Sequence, residues 1–431
     1  MKKILALSLI LILIFSLCAC GESEENTSSA TDSASGVLSS ETETDGATDP
    51  TKTDTASESL SSSDTDAVTD TDGDSATASS DAATDTDTNT SSDADTDTEQ
   101  GNASTENVEV EAPVYNVYNE TVDHKFITTD IINFSLVVYD MNLCKGDFNK
   151  LADDSAIIWE WKSKEDPNCH YANKIIRSIS GVKFRYSAYY KRDVVIACAN
   201  FGWVGVIDYE NCSLLWECQL PTGPHSVEML PNGDVVVGSA DSDGALIYFA
   251  LSAGATAPTH SIVSPSCHGV CWDPKNEWLW VLEKEGVYAC MVENPGTMVG
   301  KLVRLGGTGA KFSGDSGGHA FAPIAGQPGK YWVSARKLWV FDAEKETLSL
   351  ANEALITGAI KGICSFNDQT VVVANAGLCG KNVYSWGSDG FRIITREMST
   401  GKVSVPQYKV TVVPITGREF YKIQAFSKNY Q

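Results

Sequence analysis

Short runs of β-branched and aromatic residues recur from Val114 to the end of the chain, and Gly, Asn, Asp and Pro separate them. Runs of this kind, bounded by turn residues, are typical of β-strands. Clear examples occur at residues 136–139, 193–197, 234–238, 278–282 and 370–374. No long stretch keeps the periodicity of an amphipathic helix. The pattern therefore predicts an all-β domain over residues 112–431.

The strand pattern repeats with a period of about 42 to 51 residues, a length typical of one propeller blade. Each repeat opens with a strand that carries Lys or His near its start, and these residues are Lys183, His225, His268, His319 and Lys361. Residues 126–161 supply later strands without a first one, whereas residues 421–426 form a lone strand. Joining these pieces completes a sixth blade. The sequence therefore predicts a six-bladed β-propeller closed by both ends of the chain.

The first residues have the order of a secretory signal: Lys2 and Lys3, an apolar run over residues 4–17, then small residues. The apolar run is too short for a comfortable membrane span, so cleavage is favoured over a retained helix. Leu17-Cys18-Ala19-Cys20 resembles the bacterial lipobox. The resemblance implies a signal peptide over residues 1–19 and a lipid on Cys20 that anchors the protein to the outer side of the bacterial cell membrane. An ordinary signal with an incidental cysteine is the alternative.

Residues 20–111 have the composition of a long disordered tether. Residues 21–111 hold 25 Asp or Glu against one Lys and contain no aromatic residue, whereas the rest of the mature chain holds 32 acids and 29 bases. Such a segment has too little apolar surface to offset the entropy of ordering it. We expect a spacer that presents the domain on the cell surface. Cation or mineral binding by the Asp-Thr repeats is the alternative.

The net charge of −25 therefore belongs to the tether and does not describe the β domain. No patch of Lys and Arg interleaved with aromatic residues stands out in the domain, which argues against a nucleic-acid partner. We expect a monomer.

Ten cysteines lie in the domain at irregular spacings. Export permits disulfides, but a domain of this length can bury an ample core without them. Cys271 and Cys364 occupy matching places in two repeats, as small apolar core residues would. We expect mostly free, buried thiols, with Cys212 and Cys218 as the candidate pair for a bridge.

Four segments carry a family resemblance: residues 223–233, 268–273, 317–321 and 361–364. They resemble the repeats of bacterial lipoprotein propellers, a family of unknown function within the quinoprotein-like superfamily. The resemblance covers residues 126–427 and implies the propeller fold. It implies no quinone cofactor, and a fold of this kind does not by itself identify a function.

Six basic residues, one near the start of each first strand, are the main candidates for a site: Lys183, His225, His268, His319, Lys361 and Lys422. First strands line the channel of a propeller, so these side chains are expected to ring one mouth of it. Converging positive charges in a partly desolvated concavity favour an anion.

Two alternatives to an anion site stay open. The basic residues can serve the fold alone by bonding to carbonyls of neighbouring blades. The three histidines, with Cys267 as an extra ligand, can also bind a transition metal. Because interspersed lysines disfavour a metal, we predict no metal site and no cofactor.

Residues 314–318, Gly-Asp-Ser-Gly-Gly, match the serine motif of trypsin-like proteases in letters. The histidine and aspartate contexts of that family are missing, so a protease is not predicted. Asp315 and Ser316 are expected to border the channel mouth and bind ligand hydroxyls. Trp203 and Trp386 lie beside glycines near turns and are candidates for surface contacts with carbohydrate.

These observations favour a non-catalytic, surface-anchored binding module that receives an anionic small molecule or an acidic glycan at the channel mouth. The first alternative is an enzyme that uses the channel histidines for sulfate transfer or polysaccharide cleavage, by analogy with the propeller of arylsulfate sulfotransferases. The second is a scaffold that binds another protein through its loops. No nucleophile and base pair can be assigned from the sequence, so we favour the binding module.

Overall fold

A computed structural model describes Asn119 and residues 121–430, with gaps at residues 172–175, 177, 242, 352–358 and 398–406. The expected signal peptide, the lipidation site at Cys20 and the tether lie outside the described residues. The chain divides into two units, residues 1–101 and 102–431, and the described residues belong to the second. Within them, no helix has the length and apolar character needed to cross a membrane.

The described residues form six four-stranded antiparallel sheets. The first three sheets contain β1 (Lys125–Asp130), β2 (Ser135–Asp140), β3 (Ile157–Lys162) and β24 (Phe420–Ala425); β4 (Ile179–Ser187), β5 (Arg192–Ala199), β6 (Trp203–Asp208) and β7 (Ser213–Gln219); and β8 (Pro224–Met229), β9 (Val235–Ser239), β10 (Ala245–Phe249) and β11 (His260–Val263). The other three contain β12 (Gly269–Asp273), β13 (Trp278–Glu283), β14 (Gly286–Glu293) and β15 (Lys301–Lys311); β16 (Phe321–Pro323), β17 (Lys330–Ser334), β18 (Leu338–Asp342) and β19 (Thr347–Leu350); and β20 (Ile360–Ser365), β21 (Val371–Asn375), β22 (Gly390–Glu397) and β23 (Gln407–Pro414).

The connections include four short 3-10 helices: Met141–Cys144, Phe148–Ala152, Asp154–Ala156 and Leu251–Ala253. The innermost strands β4, β8, β12, β16, β20 and β24 contact one another in a closed cycle. The prediction of an all-β, six-bladed propeller is confirmed.

The last strand closes the propeller, as the sequence predicts. β24 pairs antiparallel with β1, with Phe126 opposite Ala425 and Ile127 opposite Gln424. Thr128 Oγ1 also donates to the Lys422 carbonyl at 2.8 Å, across 294 positions of the chain. The first sheet therefore takes its inner strand from the C-terminal end, and no inner position is left open.

Apolar side chains of neighbouring sheets pack into six clusters, one at each interface between sheets. Trp161 of the first sheet stacks on Trp203 of the second, with ring centroids 5.9 Å apart. Each large aliphatic or Phe side chain buried in this way stabilises the fold by about 1.5 to 3 kcal/mol. Trp203 is fully buried, so the expectation that it lies on the surface is wrong. Gly205 makes the room, because a Cβ there would lie 2.3 Å from the Trp203 ring.

All ten cysteines of the described domain carry free thiols, and seven of them are buried. The candidate bridge between Cys212 and Cys218 is not formed. A register irregularity places Trp216 opposite Val206 and Leu214 opposite Ile207, which leaves one extra residue in β7. This bulge reverses the side-chain alternation. Cys212 therefore packs with the core between the first and second sheets, and Cys218 with the core between the second and third.

Candidate functional site

Five side chains meet in a closed ring where the inner strands begin, and we call them the mouth ring: His225, His268, His319, Lys361 and Tyr421. The His225 and His268 rings lie 4.8 Å apart between centroids, and those of His268 and His319 lie 4.7 Å apart. His319 Nε2 is 3.2 Å from Lys361 Nζ. Lys361 Nζ lies 6.0 Å from the Tyr421 ring centroid, and the His225 ring centroid also lies 6.0 Å from it, which closes the cycle.

A local irregularity of the strands positions two of these side chains, His225 and Lys361. β8 shifts register between Pro224 and Ser226, and β20 shifts between Ile360 and Gly362, so His225 and Lys361 each occupy a one-residue bulge. A bulge re-aims its extra side chain away from the regular pleat. Repetition of this feature brings side chains from separate sheets to the same end of the channel.

Backbone carbonyls fix the tautomers of two histidines. His225 Nδ1 lies 3.0 Å from the Gly223 carbonyl, and His268 Nδ1 lies 3.0 Å from the Ser266 carbonyl. A carbonyl oxygen only accepts, so Nδ1 donates in each ring and the neutral ring keeps Nε2 as an acceptor. All three histidines are half-buried. The ring therefore presents acceptor nitrogens at a partly exposed surface.

His319 is arranged differently. Its Nε2 accepts from the Lys361 ammonium, which requires Nδ1 to carry the proton in the neutral ring. That Nδ1 is buried and has no hydrogen-bond partner in the described part of the chain. Protonation of His319 is opposed by its desolvation and by Lys361.

Two buried lysines supply the positive charge. Lys361 belongs to the mouth ring, and Lys422 lies beside it with Nζ 5.0 Å from the Tyr421 ring centroid. Lys422 Nζ donates to the His319 carbonyl and lies 3.5 Å from the His268 carbonyl. Among the residues that the structure describes, neither lysine forms an ion pair with a carboxylate. The positive charge is therefore not neutralised locally.

Burial dominates the protonation behaviour of this cluster. It lowers the pKa of Lys361 to about 8, and burial together with the Lys361 charge lowers the pKa of Lys422 to about 7. It also lowers the pKa of His225 to about 4. For His319, burial and Lys361 together lower the pKa to about 2. The histidines are therefore neutral at physiological pH, whereas the lysines titrate close to it.

Lys183 does not join the mouth ring. The bulge of β4 lies between Ile179 and Gly181, so Ser180 takes the place that His225 has in β8. Lys183 lies three residues further along, and its Nζ pairs with Glu228 Oε2 at 2.6 Å. Arg185 binds the same carboxylate, with Nε 2.9 Å from Oε1. Burial tends to raise the pKa of Glu228, but these two cations hold it below its ordinary value.

Asp315 anchors a turn. Its carboxylate accepts from the Trp339 indole at 2.8 Å and from the backbone of Ser316, Arg336 and Lys337 at 2.8, 3.2 and 3.1 Å. With four donors on its two oxygens, Asp315 is committed to joining residues 315–316 to the turn between β17 and β18. The expected contacts of Asp315 and Ser316 with ligand hydroxyls remain a prediction.

The space inside the channel beside the mouth ring is small. A cavity of about 10 Å³, lined by Lys183, His225, His268, Lys422 and Gln424 among others, lies there. That is about the space of one water molecule. A ligand of this site would rest on the ring rather than thread the channel. Within the described residues, no three His, Cys, Asp or Glu side chains are placed to share a metal ion.

Larger cavities lie elsewhere among the described residues, and two of them exceed 400 Å³. One of about 410 Å³ is at the opposite channel mouth, where residues 121–123, Lys125 and the end of β24 line it. Its charged groups are paired internally, Arg185 with Glu228 and Lys125 with Asp123. The other, of about 550 Å³, lies along the outer strands β14 and β15. Among their described lining residues, neither of these two cavities has an unpaired buried cation comparable with Lys361 and Lys422.

An aromatic pair stands beside the mouth ring. The Tyr384 and Trp386 rings stack with centroids 5.0 Å apart, and Trp386 meets Tyr421 edge-on at 5.4 Å. Tyr384 is exposed and Trp386 is half-buried, which agrees with the surface position expected for Trp386. Sequence reasoning missed Tyr421 because an aromatic residue stands where other repeats have His or Lys. Aligning the bulges of β20 and β24 would have found it.

The profile of one protein family matches residues 146–385, which is more than half of the chain. This chain belongs to that family, DUF6528, a family of unknown function. The DUF6528 match spans the second to fifth sheets and strands β20 and β21 of the sixth, so it includes His225, His268, His319 and Lys361. A comparison with curated proteins finds no match.

Solved structures similar to this DUF6528 protein include three at 10% sequence identity. The β-propeller domain of Myceliophteria thermophila Cps50 (Swd1) has a TM-score of 0.40 over 73% of this chain and 93% of that one. A functionally unknown protein from Desulfotomaculum acetoxidans has a TM-score of 0.39, with 68% and 89% covered. A protein of unknown function from Bacteroides caccae has a TM-score of 0.41, with 70% and 98% covered.

Proposed function

We propose that this protein is a non-catalytic, lipid-anchored binding module outside the cell that receives an anionic small molecule or an acidic glycan on the mouth ring. The observation that carries the proposal is the pair of buried lysines, Lys361 and Lys422, which form no ion pair with a carboxylate of the described residues. The anchor at Cys20 rests on the lipobox resemblance alone.

The electrostatics of the mouth ring favour an anion. Burying an unpaired ammonium is costly, and the protein meets the cost in part by lowering the pKa of both lysines. An anion seated between them would neutralise the charge in a partly desolvated place, where the attraction is stronger than in water. The same lysines would repel a metal cation, even with three imidazoles close by.

The position of the mouth ring also supports a binding role. The start of the described domain lies at the other end, where Thr121, Val122, Asp123 and Lys125 line the cavity at the opposite channel mouth. The three histidines at the ring are half-buried rather than enclosed. A ligand can therefore approach the ring without displacing an inner strand.

Isothermal titration of the full chain in detergent with sulfate, phosphate and glucuronate tests the proposal. We expect at least one of these anions to bind, and the double variant Lys361→Met, Lys422→Met to lose about tenfold or more in affinity. Lys275→Met is the matched control, because Lys275 is exposed and forms only a surface pair with Glu344. Absence of binding by the wild type, or equal affinities in the double variant, would overturn the proposal.

A further inference from the structure

The loop between β21 and β22 places an exposed aromatic surface next to the charged ring. Tyr384 and Trp386 stack on each other, and Trp386 touches Tyr421. The Trp386 ring and the Lys422 ammonium lie 5.4 and 5.0 Å from the same Tyr421 ring centroid. The aromatic pair and the Lys422 ammonium are therefore grouped around one residue of the mouth ring, Tyr421.

Buried carboxylates hold this loop in place. Glu419 is fully buried and accepts from the backbone of Val383 at 2.8 Å and of Tyr384 at 3.0 Å. Asp389 accepts from the backbone of Cys379 at 2.7 Å and of Lys381 at 2.6 Å. Because Glu419 directly precedes β24, it ties the aromatic pair to the strand that carries Tyr421 and Lys422. The aromatic surface is thus preorganised relative to the charge.

The aromatic pair does not serve the core. Trp161, Trp203 and Trp280 are fully buried between sheets. Tyr384, by contrast, is 38% exposed, and its neighbour Val383 is 71% exposed. Glu419 and Asp389 hold this exposed pair beside the two lysines. This arrangement suggests that the pair contacts a ligand rather than stabilising the fold.

Three chemical features converge here, and together they describe one class of ligand. The aromatic surface suits the apolar C–H face of a sugar ring. His225 and His268 offer Nε2 acceptors, which suit hydroxyl donors rather than a bare anion. Lys361 and Lys422 suit a carboxylate or a sulfate. We infer that the mouth ring and the Tyr384–Trp386 pair form one subsite for an acidic pyranose, an inference that rests on the proposed anion site.

The test compares glucuronate, glucose, acetate and sulfate on the full chain by isothermal titration. We expect glucuronate to bind more tightly than either glucose or acetate. Trp386→Ala should weaken glucuronate about five- to tenfold, the range that a lost aromatic contact gives, and leave acetate and sulfate unchanged. Trp386→Phe, which keeps an aromatic face, should retain most of the affinity.

Trp272→Ala is the control, because Trp272 is half-buried and contacts Tyr430 away from the mouth ring. Circular dichroism checks that each variant is folded. If Trp386→Ala binds glucuronate like the wild type, or if glucose binds as tightly as glucuronate, the inference is overturned while anion binding stands. If no anion binds the wild type, both the proposed function and this inference are overturned.

Discussion

The ammonium nitrogen of Lys361 lies 3.2 Å from Nε2 of His319. In this geometry the charged lysine donates to a neutral imidazole, and a second proton on His319 would place two cations in contact. Burial and Lys361 accordingly lower the pKa of His319 to about 2, and burial lowers that of Lys361 to about 8. The lysines, not the histidines, are the groups of this site that titrate near neutral pH.

Anion binding should therefore weaken as pH rises from 6 to 9. In the proposed site the charged forms of Lys422 and Lys361 would bind the anion, and their pKa values of about 7 and about 8 place their deprotonation in this window. Sulfate titrations at pH 6, 7.5 and 9, repeated in buffers of different ionisation enthalpy, should also show proton uptake on binding. An affinity that stays constant across this range would contradict the assignment.

Without a ligand, the stability of the protein should rise with pH between about 7 and 8.5. Lys422 has a folded pKa of about 7 and an ordinary value of 10.5, so the unfolded chain binds more protons in this window. Each such group adds at most about 1.4 kcal/mol to the free energy of unfolding per pH unit. Lys422→Met should flatten this slope in urea titrations, and Lys275→Met should not.

The rise should reverse above about pH 9. Burial raises the pKa of Cys198 and Cys267 to about 12. A thiol whose folded pKa is raised loses its contribution to stability once the unfolded chain begins to deprotonate. A free energy of unfolding that climbs steadily to pH 11 would contradict this account.

Glu228 should matter for stability and not for anion binding. Glu228→Gln leaves Lys183 and Arg185 buried together without their carboxylate, which should cost about 3 to 5 kcal/mol of unfolding free energy. Adding Lys183→Met should recover part of the loss, as measured by a double-mutant cycle in urea. Lys183→Met alone should leave sulfate affinity unchanged. A tenfold loss of sulfate affinity in that variant would show that Lys183 contributes to anion binding.

A buried pair also ties the start of the described domain to the turn between β20 and β21 in the sixth sheet. His124 Nε2 lies 2.8 Å from Asp368 Oδ2, and His124 is fully buried. Burial tends to raise the pKa of Asp368, but the bond to His124 brings it down to about 2. The carboxylate therefore stabilises the fold above its ordinary pKa, and this contribution is lost as pH falls from about 4 to 2.

Asp368→Asn should lower the free energy of unfolding by about 2 kcal/mol at pH 7. The difference from the wild type should shrink at pH 3, and urea titrations at both values measure it. Asp123→Asn, at an exposed pair with Lys125, should change little. An equal effect of the two substitutions would show that the His124 bond contributes nothing special.

The architecture could be predicted because each repeat has the same pattern of apolar strand positions and turn residues. Apolar runs such as those of β9 and β13 define strands. The lone strand β24 pairs with β1, because the first sheet has no other inner strand. Trp203 shows where this reasoning fails. The glycine beside it suggested a turn, whereas Gly205 two positions on creates the space that buries the indole.

The site was harder to predict, because a bulge shifts every side chain after it. Sequence spacing alone cannot tell whether Ser180 or Lys183 occupies the place that His225 has in β8. Lys183 and Glu228 are 45 positions apart and lie in two different sheets, so no local sequence pattern predicts their ion pair. The sequence places His225 and Lys361 in the ring, as the structure does, but it also places Lys183 there and omits Tyr421.

The pairing of β24 with β1 also sets the order in which the molecule can be completed. Thr128 forms a hydrogen bond with a residue 294 positions later in the chain. The inner edge of the first sheet therefore stays unpaired until that residue has been synthesised. Contacts between such distant segments form slowly. Tyr421 belongs to the same strand, so the mouth ring cannot be complete until β24 has paired with β1.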